Sequence, residues 1–233
     1  MPTKIVLAPR LPDAIVDIAR SLMPQGYELT VSDRWAPDFP EAIRDAEYFL
    51  GFARGGMGKE FYDMAPAIRL VQLISAGYDQ IDIEAARKAQ VPVANNGGSN
   101  AIAVSEHTLM LILAVLKKLA WLHRNVVSGK WRVGDFANPR LYELHGKTVG
   151  IVGLGTIGKK VARRVRAFDA KVQYYDIVRL TEDQEDALGV RFALFTELLQ
   201  TSDVVTLHVP LTDVTRGMIG TRELAAMKPS AIL

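Results

Sequence analysis

Residues 148 to 176 constrain this chain more than any other stretch: T-V-G-I-V-G-L-G-T-I-G-K-K-V-A-R-R-V-R-A-F-D-A-K-V-Q-Y-Y-D. Val149, Ile151 and Val152 form a short β-branched run. Gly153, Gly155 and Gly158 follow at G-x-G-x-x-G spacing. Val161, Ala162, Val165, Ala167 and Phe168 then recur at helical spacing between lysines and arginines. Val172, Tyr174 and Tyr175 make a second strand-like run, closed by Asp176. A glycine motif alone says little; between a strand and a helix, with an acid closing the next strand, it predicts a dinucleotide site. Gly153 allows the tight turn, Gly155 keeps side-chain atoms away from a pyrophosphate, and Gly158 lets the helix sit close on the sheet. The pyrophosphate then meets the unpaired N–H groups and positive dipole end of the helix. Asp176 lies eighteen positions after Gly158, near the spacing at which a carboxylate accepts the adenosine ribose hydroxyls. Its charge repels a 2′-phosphate and favours NAD over NADP, although the nearby Arg179 blurs that preference. The competing reading is a glycine-rich turn that binds no nucleotide; it leaves the strand-plus-Asp ending unexplained.

Composition narrows the partners. The chain has 233 residues, enough for one large or two modest domains. Twenty-eight lysines and arginines against 26 acids leave a net charge of +2, with no long basic block. That argues against nucleic acid. Cysteine is absent, which excludes disulfides, thiolate nucleophiles and thiolate-held metal, and fits a reducing cytoplasm; no metal is expected. Residues 1–10 lack the apolar core and cleavage site of a signal peptide. The most apolar stretch, 101–119, carries Ser105, Glu106 and His107 near one end. Its uncharged run is too short to span a membrane and reads as a buried helix.

In the first hundred residues, short apolar runs alternate with helical patterns. Strands are expected at 5–8, 27–31, 48–52, 70–75 and 91–94, and helices near 13–22, 41–45, 59–64 and 83–89. Such alternation implies a parallel sheet covered on both faces, with ligands at the carboxyl ends of its strands. Two loops stand at such ends: Ser75-Ala76-Gly77-Tyr78-Asp79 and Asn95-Asn96-Gly97-Gly98-Ser99-Asn100. Ala76 and Gly77 are small enough for an anion to reach their N–H groups. Composition alone favours a plain turn with Asp79 or Asp82 as a helix cap. Likewise, Ser99 or Asn100 can cap the next helix. That helix, 101 to about 124, is apolar nearly all round and must be covered on most sides, between domains or between subunits. His107 on it is more often a structural hydrogen-bonding residue than a proton carrier. Beyond Asp176, 181–186 reads as a solvated loop or helix, 190–193 as a third strand, 196–200 as a helix and 204–209 as a fourth strand. A helix at 221–227 stops at Lys228-Pro229, and 231–233 begins another strand. A six-stranded sheet is expected and only five strands can be found. The chain is therefore expected to be truncated.

These residues together resemble the D-isomer-specific 2-hydroxyacid dehydrogenases. The matches are Ser75 to Asp82, Asn96 through Asn100 to His107, Ser128-Gly129-Lys130-Trp131, Gly153 to Gly158, and His208-Val209-Pro210-Leu211-Thr212 with Thr215. The resemblance implies an α/β chain of two doubly wound parallel-sheet domains. A flavodoxin-like substrate domain (1–99) would precede a Rossmann NAD-binding domain (100–233), incomplete at its C-terminal end. It implies that Ala76 and Gly77 hold the substrate carboxylate, with Asn100 near the substrate and, on a looser match, Arg54. Gly153, Gly155, Thr156, Ile157 and Gly158 would hold the pyrophosphate and Asp176 the ribose. His208, Val209, Pro210 and Thr215 would line the nicotinamide ribose. A homodimer with the long helix near its interface is implied too.

Oxidising a hydroxy acid needs a base for the hydroxyl proton and a cation at the carboxylate and developing carbonyl. By resemblance, an Arg, a Glu and a His do this, all beyond Leu233. None of His107, His123, His145 and His208 matches that His, so no catalytic residue is expected within the chain. The resemblance implies an NAD-dependent oxidoreductase interconverting a D-2-hydroxy acid and a 2-keto acid. Two other readings stay open: a non-catalytic NAD(H)-binding relative, like the family's corepressors, and an inactive fragment. The particular acid is not legible.

Overall fold

The computed structural model describes residues 2–52, 57–130 and 140–233. The chain divides into two compact units, Met1–Ser99 and Asn100–Leu233. Each is built on its own parallel sheet.

The first unit runs β1 (Thr3–Ala8), α1 (Asp13–Ser21), β2 (Tyr27–Val31), α2 (Phe39–Arg44), β3 (Tyr48–Gly51), α3 (Lys59–Met64), β4 (Leu70–Leu73), α4 (Ile83–Lys88) and β5 (Val93–Ala94). The strand order is β2-β1-β3-β4-β5, all parallel, the doubly wound order of the flavodoxin type. Period-two burial sets the register: Phe49 and Gly51 of β3, and Val71 and Leu73 of β4, point into the core. Phe39, Ile43, Phe49 and Phe61 are all but fully buried there. Each contributes roughly 1.5–3 kcal/mol by leaving water. Gly51 has a steric reason: a Cβ there would overlap the carbonyl oxygen of Ala8 on β1.

The second unit runs α5 (Ala101–Leu116), α6 (Leu119–Val127), β6 (Thr148–Val152), α7 (Thr156–Arg166), β7 (Lys171–Tyr175), α8 (Glu182–Leu188), β8 (Arg191–Phe192), α9 (Phe195–Thr201), β9 (Val204–Leu207) and α10 (Thr221–Ala226). Its sheet has the order β8-β7-β6-β9, and Ile232 adds a parallel bridge to Val204 on β9. Both faces are covered. Val149, Ile151 and Tyr174 pack with α5 and α7 residues on one face; Val152 and Val205 pack with Leu198 and Leu199 of α9 on the other. A Cβ on Gly150 would lie 2.8 Å from Leu198 Cγ, so α9 rests directly on β6.

Several expectations change. The helix expected from 101 to about 124 is two helices. Lys118 adopts a left-handed conformation (φ 52°, ψ 43°) between them, and the carbonyl of Leu116 takes the Tyr142 N–H instead of a helical partner. No glycine or proline announced that break. The stretch read as solvated, 181–186, opens α8 with a Thr181–Gln184 capping box, and Glu185 within it is buried. The third strand of this unit shrinks to Arg191–Phe192. The His107 side chain is exposed on α5 and has no hydrogen-bond partner among the described residues.

Candidate functional site

In the second unit the site grows from the end of β6. Gly153 sits at φ +93°. A Cβ there would fall 2.7 Å from the His208 carbonyl oxygen and 2.9 Å from Val209 Cγ1. Gly158 faces the other way, and a Cβ on it would overlap the Gly153 carbonyl oxygen. Gly155 differs from both: nothing lies within 4 Å of a Cβ built there. Two glycines are thus required by packing, and the third leaves open space.

That space lies over the start of α7. Gly155 is its N-cap, with no side-chain cap, and the first N–H turned inward is that of Lys159, to Gly155 O at 3.0 Å. The N–H groups of Gly155, Thr156, Ile157 and Gly158 have no acceptor among the described residues. The first turn carries no acid. Four orphan donors at the positive end of an eleven-residue helix suit a diphosphate.

Asp176 follows β7 and is half-buried. Its Oδ2 accepts the Leu154 N–H at 2.7 Å and its Oδ1 the Val178 N–H at 3.2 Å. It therefore holds the glycine turn as well as standing beside it, which spacing alone did not show. On the other side of β6, the His208 N–H reaches Val152 O at 2.7 Å. The imidazole Nε2 lies 3.0 Å from Oγ1 of Thr206 in β9, two residues back. Burial lowers the His208 pKa below the ordinary histidine value, so the ring is neutral near pH 7. Val209 packs against the α9 side of the core. Thr215 ties the next turn, its Oγ1 donating to Pro210 O at 2.6 Å and accepting the Thr212 N–H at 2.8 Å. The glycine turn, Asp176 and His208–Val209 are thus brought together where the strand order reverses, the ligand position of an open sheet.

In the first unit, Ser75 to Asp79 follow β4. Asn95 Nδ2 donates to Ala76 O at 2.7 Å, Asn96 N–H to Ser75 O at 3.0 Å, and Ser75 Oγ to Gly77 O at 2.9 Å. The two loops singled out from sequence therefore brace each other. The N–H groups of Ala76 and Gly77 have no acceptor among the described residues. Asp82, not Asp79, caps α4, accepting the Ala85 N–H at 2.9 Å. Asn100, the first residue of the second unit, occupies the N-cap of α5 without a side-chain cap bond and is exposed. Arg54 and Trp131 lie outside the described residues.

Tyr174 and Glu185 are joined to the loop after Asp176, a link the sequence did not show. Tyr174 OH donates to Glu185 Oε1 at 3.0 Å and accepts the Leu180 N–H at 2.8 Å. Arg179 Nε donates to the same Glu185 oxygen at 3.1 Å. Burial pushes the Glu185 pKa up, but hydrogen bonds from Arg179 and Tyr174, with the arginine's charge, outweigh it and leave the net value below the ordinary range. The available signal was Glu185 three positions before the buried Leu188, on the inward stripe of α8.

Residues 109–233 match the family model described as D-isomer specific 2-hydroxyacid dehydrogenase, NAD binding domain. The glyoxylate reductase of Korarchaeum cryptofilum is 36% identical over 209 residues, 86% of this chain and 63% of that protein. The glyoxylate reductase of Thermococcus gammatolerans is 34% identical over 241 residues, covering 100% of this chain and 71% of that protein. A crystal structure of the D-lactate dehydrogenase of Aquifex aeolicus with NAD and lactic acid superposes with a TM-score of 0.85 at 27% identity, over 99% of this chain and 68% of that one. The chain spans 63% and 59% of the first two curated relatives' lengths. The glycine turn with its orphan donors and the acid closing β7 thus lie inside a matched NAD-binding domain, and the chain belongs to the D-isomer specific 2-hydroxyacid dehydrogenase family.

Proposed function

We propose that this chain is the larger part of an NAD-dependent oxidoreductase interconverting a D-2-hydroxy acid and a 2-keto acid. The observation that carries the proposal is the set of four unpaired N–H groups under the open space at Gly155. In this reading the N–H groups of Gly155, Thr156, Ile157 and Gly158 grip the diphosphate, and Asp176 accepts from the adenosine ribose. Gly153 lets the His208–Val209 backbone close on the turn. His208, Val209, Pro210 and Thr215 line the nicotinamide ribose, with Thr215 fixing the loop. When bound, NAD supplies the acceptor for the substrate's hydride. Ala76 and Gly77 offer two free N–H groups to the carboxylate, and Asn100 offers an amide. The matching names of the relatives support a small acid of the glyoxylate or lactate kind.

Within residues 1–233 no side chain takes the part of proton acceptor in this reading. Neutral, Thr206-bonded His208 serves the cofactor instead. We infer a homodimer, supported by the exposed apolar side chains of Ile102, Met110, Leu111 and Val115 on α5, and a cytoplasmic setting. No helix among the described residues is long and apolar enough to cross a membrane.

The test is NADH oxidation with glyoxylate, pyruvate and hydroxypyruvate, beside NADH binding followed by fluorescence. We expect residues 1–233 to bind NADH without turning over, and a longer form carrying the family's Arg, Glu and His to oxidise it. Equal turnover by residues 1–233 alone would contradict the placement of the acid–base residues. Binding without turnover in the longer form would favour the non-catalytic reading.

A further inference from the structure

Arg179 is the only basic residue between Asp176 and Thr181. An arginine in this place is the usual partner of an adenosine 2′-phosphate. Here the fold supplies another. The loop is fixed on both sides of Arg179: Val178 N–H donates to Asp176 Oδ1 at 3.2 Å, and Leu180 N–H to Tyr174 OH at 2.8 Å. The side chain, 57% exposed, is held at one nitrogen and over one ring. Its Nε donates to Glu185 Oε1 at 3.1 Å, and its guanidinium carbon stands 5.1 Å from the centre of the Phe192 ring. Glu185 is only 3% exposed, and Tyr174, fully buried, donates to the same carboxylate oxygen. A buried carboxylate left without its cation is strongly disfavoured, so Glu185 has a firm claim on Arg179.

We propose that Glu185 is a specificity-determining residue that selects NAD over NADP by holding Arg179 against Phe192, leaving Asp176 as the charge that meets the adenosine ribose. The proposal rests on the reading of residues 153–176 as the dinucleotide site. Glu185 acts through Arg179 and touches no cofactor; it is a positioning residue. The same arginine that blurs the preference in the sequence is thereby removed from the contest.

The test is titration of the 233-residue chain with NADH and with NADPH, followed by fluorescence, for the wild type, Glu185→Met and Arg179→Ala. Methionine keeps the volume of Glu185 and removes its acceptor. With Arg179 released, Kd for NADPH relative to NADH should fall about tenfold, the effect of one charge-assisted arginine–phosphate pair. The double variant should lose that gain. Arg179→Ala alone should leave the wild-type ratio unchanged, and Glu185→Gln, which keeps the size but removes the charge, carries the test if Glu185→Met does not fold. An unchanged ratio in folded Glu185→Met, or a tenfold loss of NADPH affinity in Arg179→Ala, would overturn the proposal while leaving NADH binding intact. If the wild type bound neither dinucleotide, the reading of the glycine turn would fail, and this proposal with it.

Discussion

Gly155→Ala separates the fold from the site. Gly155 has φ −71°, which alanine adopts freely, and a Cβ there meets nothing within 4 Å. Substituting alanine for glycine at such a position stabilises a protein by about 0.4–1 kcal/mol, because the unfolded chain loses freedom. The melting temperature of the free chain should therefore hold or rise slightly. The new methyl group instead occupies the space above the orphan donors of α7. Losing a charge-assisted hydrogen bond to the diphosphate costs about 1.5–3 kcal/mol, so Kd for NADH should rise about ten- to hundredfold. Gly153→Ala makes the contrast. Its φ of +93° and a Cβ 2.7 Å from the His208 carbonyl oxygen leave alanine no room. Left-handed backbone alone costs about 1–2 kcal/mol, enough to lower the melting temperature by several degrees (roughly 2–4 °C per kcal/mol at this size). Thermal melts and NADH fluorescence titrations of both variants measure the two effects. A Gly155→Ala chain that binds NADH as tightly as the wild type would refute the reasoning.

Three further outcomes follow from the same geometry. Burial lowers the His208 pKa, so the unfolded chain takes up that proton first; the stability it contributes is complete above the ordinary histidine pKa and lost as pH falls through the folded one. His208→Asn should flatten the fall in melting temperature between about pH 7 and 5. Asp203 is pushed up by burial but brought below the ordinary aspartate range by hydrogen bonds from Lys228 and the Thr148 N–H; its contribution is present above the unfolded pKa and disappears in acid, so Asp203→Asn should flatten the melting curve against pH below about pH 4. Thr215→Val keeps the shape of Thr215 but removes its bonds to Pro210 and Thr212, and should weaken NADH binding severalfold at a stability cost of about 1 kcal/mol.

Much of the second unit was legible because its signals are local. The glycine spacing, the apolar period of α7 and the acid closing β7 are properties of neighbours in sequence, and the structure places them as the spacing required. The parallel order of both sheets followed from βα alternation for the same reason. What sequence reading missed depends on contacts between distant segments. The break at Lys118 shows only in backbone geometry, with Tyr142 reaching back to Leu116. Asp176 was read as a ligand for ribose, yet it also holds the Leu154 N–H, a bond across 22 positions. Glu185 looked solvated because its neighbours are charged; only the positions of Tyr174 and Arg179 show why a carboxylate is buried there. Gly150 carried no motif at all and is explained by α9 lying on β6.

The amide spectrum of the labelled chain, recorded by NMR with and without NAD, tests the central claim most directly. The account predicts that the Gly155, Thr156, Ile157 and Gly158 N–H signals move furthest on saturation, because those protons exchange water for a phosphate oxygen. Signals at these four positions that stay fixed while NAD binds would contradict it.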